Sequence, residues 1–472
     1  MSDIRSQIKF GTDGWRAVIS DTFTFENVRI VAQATSDWIN KNNNRFPTKS
    51  ASIGYDNRFL SKEYAQAMAE VFAANGIKTY LSDTSLPTPA LSFGVVRLAN
   101  VGGIMITASH NPAKFNGIKI KTAQGGAASK DITNAIEGYL GQSEVKRLEY
   151  ADAIEQSAIV VHDFKKEYVK FLRGYINLKK IKTAKFRVLT DVMHGSGRDL
   201  MRQILKGTSI KLTLMREDVN PGFDGSKPEP IPECLQGTME RMKKEKFDFG
   251  HVLDGDADRI AAIMPGGEFV SPQKILGLLV LHLARNRKVE GGIVKTLCGT
   301  TMYDHIAQKL GIKLYETPVG FKYISDLMLT QKIVAGGEEA GGMGLPNYIP
   351  ERDGTLAGLL LLEMMVYNKR NFKQLVDDME KEFGRYFYSR LDYKLDASKV
   401  DLNKLKGITS ILGQKVVEVK DFDGVKLICG NEDWLMFRPS GTEPLVRLYS
   451  EAKSLKRSKA ILEFGRQLID PK

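Results

Sequence analysis

Cysteine is nearly missing from this chain. Cys234, Cys298 and Cys429 are the three it has in 472 residues, and they lie far apart. No metal-binding spacing links them, and an odd count argues against a disulfide framework. A reducing cytoplasm is the simplest setting. Long apolar runs are also lacking. The greasiest stretches, residues 275–284 and 356–366, are too short or too interrupted to span a bilayer and read as buried helices. Residues 1–5, Met-Ser-Asp-Ile-Arg, hold no apolar stretch of the kind a secretory signal needs. No basic run interleaves with aromatics and no nucleic-acid motif stands out. Lys179, Lys180, Lys182, Lys185 and Arg187 gather loosely, as on a solvated linker face. Neither a membrane nor a nucleic acid is therefore expected as a partner.

What is present is an ordinary globular composition, 42% hydrophobic and 26% charged, over a length that suggests three or four domains. The net charge of +12 favours anionic ligands without naming them. Four loops carry the chemistry. The first is Thr107-Ala108-Ser109-His110-Asn111-Pro112, after the apolar Ile104-Met105-Ile106. It reads as a buried strand delivering a side chain into a rigid loop. Ser109, a hydroxyl beside a histidine, is a candidate nucleophile or phosphate carrier.

The second is Asp254-Gly255-Asp256-Ala257-Asp258-Arg259. On a helix, residues two apart diverge. On a strand they share a face but stand roughly 6–7 Å apart, too wide for one small ion. A tight turn at Gly255 brings all three carboxylates onto one cation, and hard oxygens suit Mg²⁺ or Ca²⁺. A calcium EF-hand needs Gly and Glu where this chain has Arg259 and Pro265, so that reading fails.

The third loop spans residues 335–342 with four glycines around Glu338, Glu339 and Ala340. Its backbone can approach a ligand closely, and its carboxylates can accept hydrogen bonds from hydroxyls. The fourth is Arg438-Pro439-Ser440-Gly441-Thr442-Glu443-Pro444, with Arg447 beyond. Guanidinium groups, hydroxyls and backbone N–H groups make an anion pocket there.

Strands and helices alternate through most of the chain. A strand over residues 51–55 precedes a helix with Tyr64, Met68, Val71 and Phe72 at helical spacing, then a capping Gly76. The rhythm recurs at residues 186–191 and 292–296 and predicts α/β layers. Residues 416–418, 425–429, 434–437 and 446–450 are instead successive strands before a closing helix over 454–469. That pattern marks a separate α+β unit.

Together the four loops resemble those of the α-D-phosphohexomutases, the phosphoglucomutase and phosphomannomutase superfamily. The likeness runs over essentially the whole chain, in the family's order and spacing. It implies three related α/β domains with mixed sheets, then a smaller α+β domain, around a central cleft. Boundaries are placed at 1–155, 156–265, 266–375 and 376–472.

The resemblance also implies an activity: hexose 1-phosphate and hexose 6-phosphate interconverted through a phosphoserine at Ser109 and a hexose 1,6-bisphosphate. Glucose is preferred and mannose is the alternative. Mg²⁺ would be held by Ser109, Asp254, Asp256 and Asp258, with glucose 1,6-bisphosphate as activator and a monomer or homodimer as the working state. Arg438, Ser440, Gly441, Thr442 and Arg447 would grip the idle phosphate. In the opening motif, residues 9–16, Arg16 would lie beside the phosphoserine; His110 and Arg259 would line the same pocket. Residues 317–322, with Gly320 and Lys322, resemble the sugar-recognition loop of the glucomutase branch. Lys295 and Arg352 complete the substrate-binding set with Glu338 and Ala340.

Lys119 follows on the strand after Ser109. Alternation alone puts Ile118 and Ile120 on one face and leaves Lys119 and Lys121 solvated on the other. The resemblance makes Lys119 a general acid/base group, with a pKa expected to be depressed. One departure stands out: many members carry serine where this chain has Ala340. The missing hydroxyl costs about 0.5–1.5 kcal/mol of hydrogen bonding and bears on the sugar preference. A bisphosphate synthase or phosphatase using the same serine, or a non-catalytic sugar-phosphate sensor, is the alternative function.

Overall fold

The computed structural model describes residues 7–11, 13–45, 48–396, 400–439 and 445–470. Among these, four sheets form. The first runs Trp15–Val18, Phe115–Thr122, Gly102–Ile106, Ser50–Tyr55, Lys78–Ser82, Ile159–His162. Its last four strands are parallel and its first two antiparallel. The second runs Phe269–Val270, Ile260–Ile263, Phe249–Leu253, Arg187–Asp191, Lys211–Met215. The third runs Leu314–Thr317, Gly292–Thr296, Ile333–Gly337, Met343–Gly344.

One arrangement repeats in all three. A parallel strand (Gly102–Ile106, Phe249–Leu253, Ile333–Gly337) ends in a loop, and the chain returns antiparallel at its side. These strands are buried along their length, as strands covered on both faces must be. Each of their loops is one of the candidate loops read from the sequence. Loops at the carboxyl ends of parallel strands are where α/β sheets bind ligands.

The fourth sheet is antiparallel throughout, in the order Phe387–Tyr393, Val446–Ala452, Trp434–Pro439, Val425–Cys429, Gln414–Lys420, Ser410–Ile411. The helix Leu455–Ile469, capped by Ser454, buries Ile461 and Leu462 in the same core as Leu435 and Leu448. Arg438 and Arg447 stand opposite each other across the strand pair Trp434–Pro439 and Val446–Ala452.

The apolar stretches behave as the sequence indicates. Gly354–Asn368 is buried nearly all round, and a helix apolar on every side belongs inside a large protein. Pro272–Leu281 continues into a π-helical turn at His282–Asn286. No helix of the described residues is long and apolar enough to cross a membrane. The three cysteines are free. The helix Ser61–Ala74 ends at Asn75, with Gly76 just beyond at φ +71°, a left-handed position that glycine fills without a Cβ penalty. The lysine-rich segment around residues 179–187 is mostly exposed.

One feature differs from the sequence expectation. Lys119 and Lys121 are both only 1% exposed, because carboxylates of the other units meet them. Three elements lie at or near residues 155, 265 and 375. Ile159–His162 completes the first sheet and Phe269–Val270 the second. The helix Phe372–Phe383 runs across the third boundary without a break.

The helix Phe164–Tyr175 locks against the helix Thr88–Arg97 by placing the Phe164 ring over Gly94. A Cβ at Gly94 would stand 2.2 Å from that ring. Phe164 is 1% exposed, so Phe164→Ala should cost about 3–5 kcal/mol, read as a lowered midpoint in urea unfolding.

Candidate active site

Ser109 sits where the strand Gly102–Ile106 has ended, in the left-handed region at φ +51°. A non-glycine residue holds that conformation when its surroundings impose it. Here Ser109 N–H donates to Thr107 Oγ1 at 2.9 Å, and Arg58 Nη2 donates to the Ser109 carbonyl at 2.7 Å. Arg58 also donates to the carbonyls of Asn111, Pro112 and Phe115. One buried guanidinium thus ties the whole loop down. The Ser109 hydroxyl donates to Asp254 Oδ2 at 2.9 Å and lies 3.3 Å from His110 Nδ1. Burial, with Arg259, Arg16, Lys119 and Arg58 around it, holds His110 well below its ordinary pKa, as the neutral ring.

Asp254, Asp256 and Asp258 are fully buried and bring carboxylate oxygens within 4.8 Å of one another. The turn runs through Gly255 as the sequence indicates, and its left-handed residue is Ala257 at φ +56°. Gly255 is needed for space instead: a Cβ there would lie 2.5 Å from the Ser109 carbonyl and 3.0 Å from Pro228 Cγ.

The donor set fits a hard cation. Oδ1 of Asp256 and Oδ1 of Asp258 are buried with no hydrogen-bond partner among the described residues, an arrangement proteins avoid unless something else satisfies the oxygens. Burial, then the charges of Asp256 and Asp258, push Asp254 well above the usual carboxylate range. Three buried acids short of positive charge are suited to Mg²⁺.

Lys119 supplies part of that charge. Its Nζ lies 2.7 Å from Asp256, 2.8 Å from Asp258 and 3.1 Å from Asp13. Burial by itself would lower its pKa, but Asp13, Asp256 and Asp258 more than offset this and raise it. These neighbours act opposite to the depressed pKa expected from the sequence.

Arg352 ties in the third unit, 2.7 Å from both Asp13 and Asp258 and 3.6 Å from Glu338. Its guanidinium also lies 5.5 Å from the centre of the Phe321 ring, at the start of the helix Phe321–Thr330. Arg16 donates to Asn111 Oδ1 at 2.7 Å and lies 3.7 Å from Asp13. Arg259 N–H donates to Asp254 Oδ1 at 3.1 Å. Burial pushes Glu338 up to about 7, against the pull of Arg352.

Ser109, His110, Arg16, Lys119, Asp254, Asp256, Asp258, Arg259, Glu338 and Arg352 are therefore joined in one network. Ala340 lies in the turn closed by Glu338 and Gly342, with a methyl group where a hydroxyl would stand. Gly320, at φ +136°, precedes the helix Phe321–Thr330, and Lys322 lies 4.8 Å from the Tyr323 ring centre. Among the described residues, Lys295, Arg438 and Arg447 find their ion pairs elsewhere: with Asp304 and Glu316, with Asp423, and with Asp392. Ser440, Gly441 and Thr442 lie outside the described residues.

Three members of the site had no role in the sequence reading. Asp13 sits inside the opening motif. Arg58 follows the strand Ser50–Tyr55, and its position just past a parallel strand was a usable signal. Thr88, whose hydroxyl donates to Asp256 Oδ2, gave none.

Comparison with known proteins agrees with this geometry. Family models of phosphoglucomutase/phosphomannomutase match in sequence order: alpha/beta/alpha domain I over residues 7–146, domain II over 166–267, domain III over 271–383 and the C-terminal domain over 391–466. A phosphoglucomutase/phosphomannomutase of Thermococcus kodakarensis is 27% identical, covering 98% of each chain. A phosphoglucosamine/phosphogalactosamine mutase of Sulfurisphaera tokodaii is 28% identical over 98% of this chain and 99% of its own. The crystal structure of a phosphomannomutase-type protein from Thermus thermophilus superposes with a TM-score of 0.87 at 32% identity, covering 98% and 99% of the two chains. Fold and site thus define an isomerase that transfers phosphate intramolecularly. The chain belongs to the phosphoglucomutase/phosphomannomutase family, whose Mg²⁺-binding aspartate trio it carries.

Two outcomes follow. Gly255→Ala should displace the Ser109 loop and lower turnover about 100-fold, as a misplacement of about 1 Å does, with an unchanged circular dichroism spectrum. For Glu338, the folded pKa lies above the unfolded one, so its contribution to stability is present below about pH 4.5 and is lost as pH rises through about 7. The melting temperature of Glu338→Gln, relative to the natural protein, should rise between pH 5 and pH 8.

Proposed function

We propose that this protein interconverts hexose 1-phosphate and hexose 6-phosphate with Ser109 as the phosphate carrier, and that glucose phosphates are its preferred substrates. The observation that carries the reading is the Ser109 hydroxyl held 2.9 Å from Asp254 of the aspartate trio. A serine with no chemical task does not need a left-handed backbone, four guanidinium-anchored carbonyls and a carboxylate partner.

In the first half-reaction a free hydroxyl oxygen of a bound hexose monophosphate attacks the phosphorus on Ser109. The Ser109 Oγ–P bond breaks, a sugar O–P bond forms, and the hydroxyl proton passes to a base. The resulting 1,6-bisphosphate turns over without release. Ser109 Oγ then takes the other phosphate, and the sugar oxygen it leaves regains a proton. Lys119 holds or returns a proton at Nζ in these transfers. Asp254, Asp256 and Asp258 would hold Mg²⁺, which when bound would supply positive charge beside Ser109. Arg16, Arg259 and Arg352 add positive charge around the same centre. Glu338 reads sugar hydroxyls, while Arg438 and Arg447, with residues 440–442, grip the idle phosphate. Gly320, Lys322 and Lys295 stand on the elements that carry the sugar loop. Glucose 1,6-bisphosphate serves as activator because it refills an empty Ser109.

The methyl of Ala340 leaves one sugar hydroxyl without a partner, and relatives of this chain carry names that include amino-sugar phosphates. Assays with glucose, mannose and glucosamine 1-phosphates, each with Mg²⁺ and a trace of its 1,6-bisphosphate, order the substrates. Rapid conversion to the 6-phosphate supports the mutase. Inorganic phosphate as the main product would exclude it, and binding without turnover would indicate a sensor. Ser109→Ala should abolish turnover while leaving sugar-phosphate affinity within about 3-fold, since it removes one neutral hydrogen bond. Intact mass spectrometry of the natural protein should place one phosphate on the peptide containing Ser109.

A further inference from the structure

Asp423 lies in the turn between the strands Gln414–Lys420 and Val425–Cys429 of the fourth unit. It makes two contacts of different kinds. Both carboxylate oxygens accept from Arg438 Nε, at 3.1 and 3.0 Å. Oδ2 also accepts the backbone N–H of Val319 at 2.7 Å. Arg438 belongs to the candidate phosphate clamp, and Val319 to the loop at residues 317–322 of the third unit. One carboxylate therefore touches the element expected to hold phosphate and the element expected to hold sugar.

The surroundings fix the turn. Gly424 has φ +92°, and a Cβ there would stand 2.2 Å from the Phe437 carbonyl. Lys420 binds Glu316 at 2.7 Å, and the buried Lys426 donates to the Leu297 carbonyl at 2.8 Å. The turn is thus docked on the third unit from both sides of Asp423. With Nε committed to Asp423, the two terminal nitrogens of Arg438 have no other partner among the described residues and are available to an anion.

We infer that Asp423 is a positioning residue that aims Arg438 at the substrate phosphate and, through Val319, couples that grip to the shape of the sugar loop. This rests on the function proposed above. A carboxylate sharing one edge of a guanidinium restricts its rotation and leaves the opposite face for bidentate recognition. Because the same oxygen anchors the Val319 N–H, movement of the clamp and movement of the sugar loop are not independent.

Two substitutions separate the contacts. Asp423→Asn keeps an acceptor for Val319 and removes the charge on Arg438; Asp423→Ala removes both. Inorganic phosphate, titrated by calorimetry into each protein, should bind about 10-fold more weakly in both variants, the size of one charge-assisted hydrogen bond. The ratio of kcat/KM for glucose 1-phosphate over mannose 1-phosphate should stay within about 2-fold of the natural protein in Asp423→Asn and move by about 5-fold or more in Asp423→Ala, the effect of one lost hydrogen bond. A residue that merely stabilised the unit would lower the melting temperature and scale both sugars together. Unchanged phosphate affinity in both variants, or an unchanged sugar ratio in Asp423→Ala, would overturn the inference. If the natural protein turned over no hexose phosphate, the proposed function would fail, and the phosphate titration would still decide the Asp423–Arg438 contact.

Discussion

The structure depends on one buried ammonium. Lys119 is 1% exposed and faces Asp13, Asp256 and Asp258. An unpaired charge at that depth costs several kcal/mol, and so does each acid without its cation. The first and second units must therefore meet here, and the loop at residues 254–259 must fold back on itself for two of its acids to reach one amine. Arg352 extends the same logic to the third unit through Asp13 and Asp258. A second buried pair, Lys121 with Glu351, lies one step along the same strand face. Such pairs specify an arrangement more than they stabilise it. Here they specify the meeting of three sheets.

The electrostatics of the centre are arranged rather than averaged. The chain is basic overall, yet the buried loop at residues 254–258 is acidic. His110 is kept neutral by burial and by the arginines around it, so it offers Ser109 a hydrogen-bonding nitrogen without adding charge. Glu338 is pushed towards neutrality by burial although Arg352 is near. Both groups titrate away from their ordinary ranges for the same reason: a water-poor cleft penalises any charge that lacks a partner close by.

Local chemistry was legible in the sequence, and encounters between distant segments were not. The loops at Ser109, Asp254–Asp258 and Glu338 each announce themselves within a few residues, since glycine, proline and clustered polar groups interrupt an apolar strand. The alternation of strands and helices was enough to separate an α+β end from the α/β body. Lys119 and Lys121 show the limit. Period-two alternation places both on one face, but whether that face meets water depends on Asp256 and Glu351, more than a hundred residues away. Arg58, Asp13 and Thr88 matter through partners that no spacing rule joins to them. Sheet membership near residues 155 and 265 is hidden for a related reason. Ile159–His162 and Phe269–Val270 belong to sheets whose other strands lie well upstream.

The repeated strand–loop–return pattern has a further consequence. Each sheet is internally complete, so the centre is a seam and not a pocket carved into one body. Ser109 and Asp254 come from different sheets, so their 2.9 Å contact depends on how those sheets meet and not on the pairing within either.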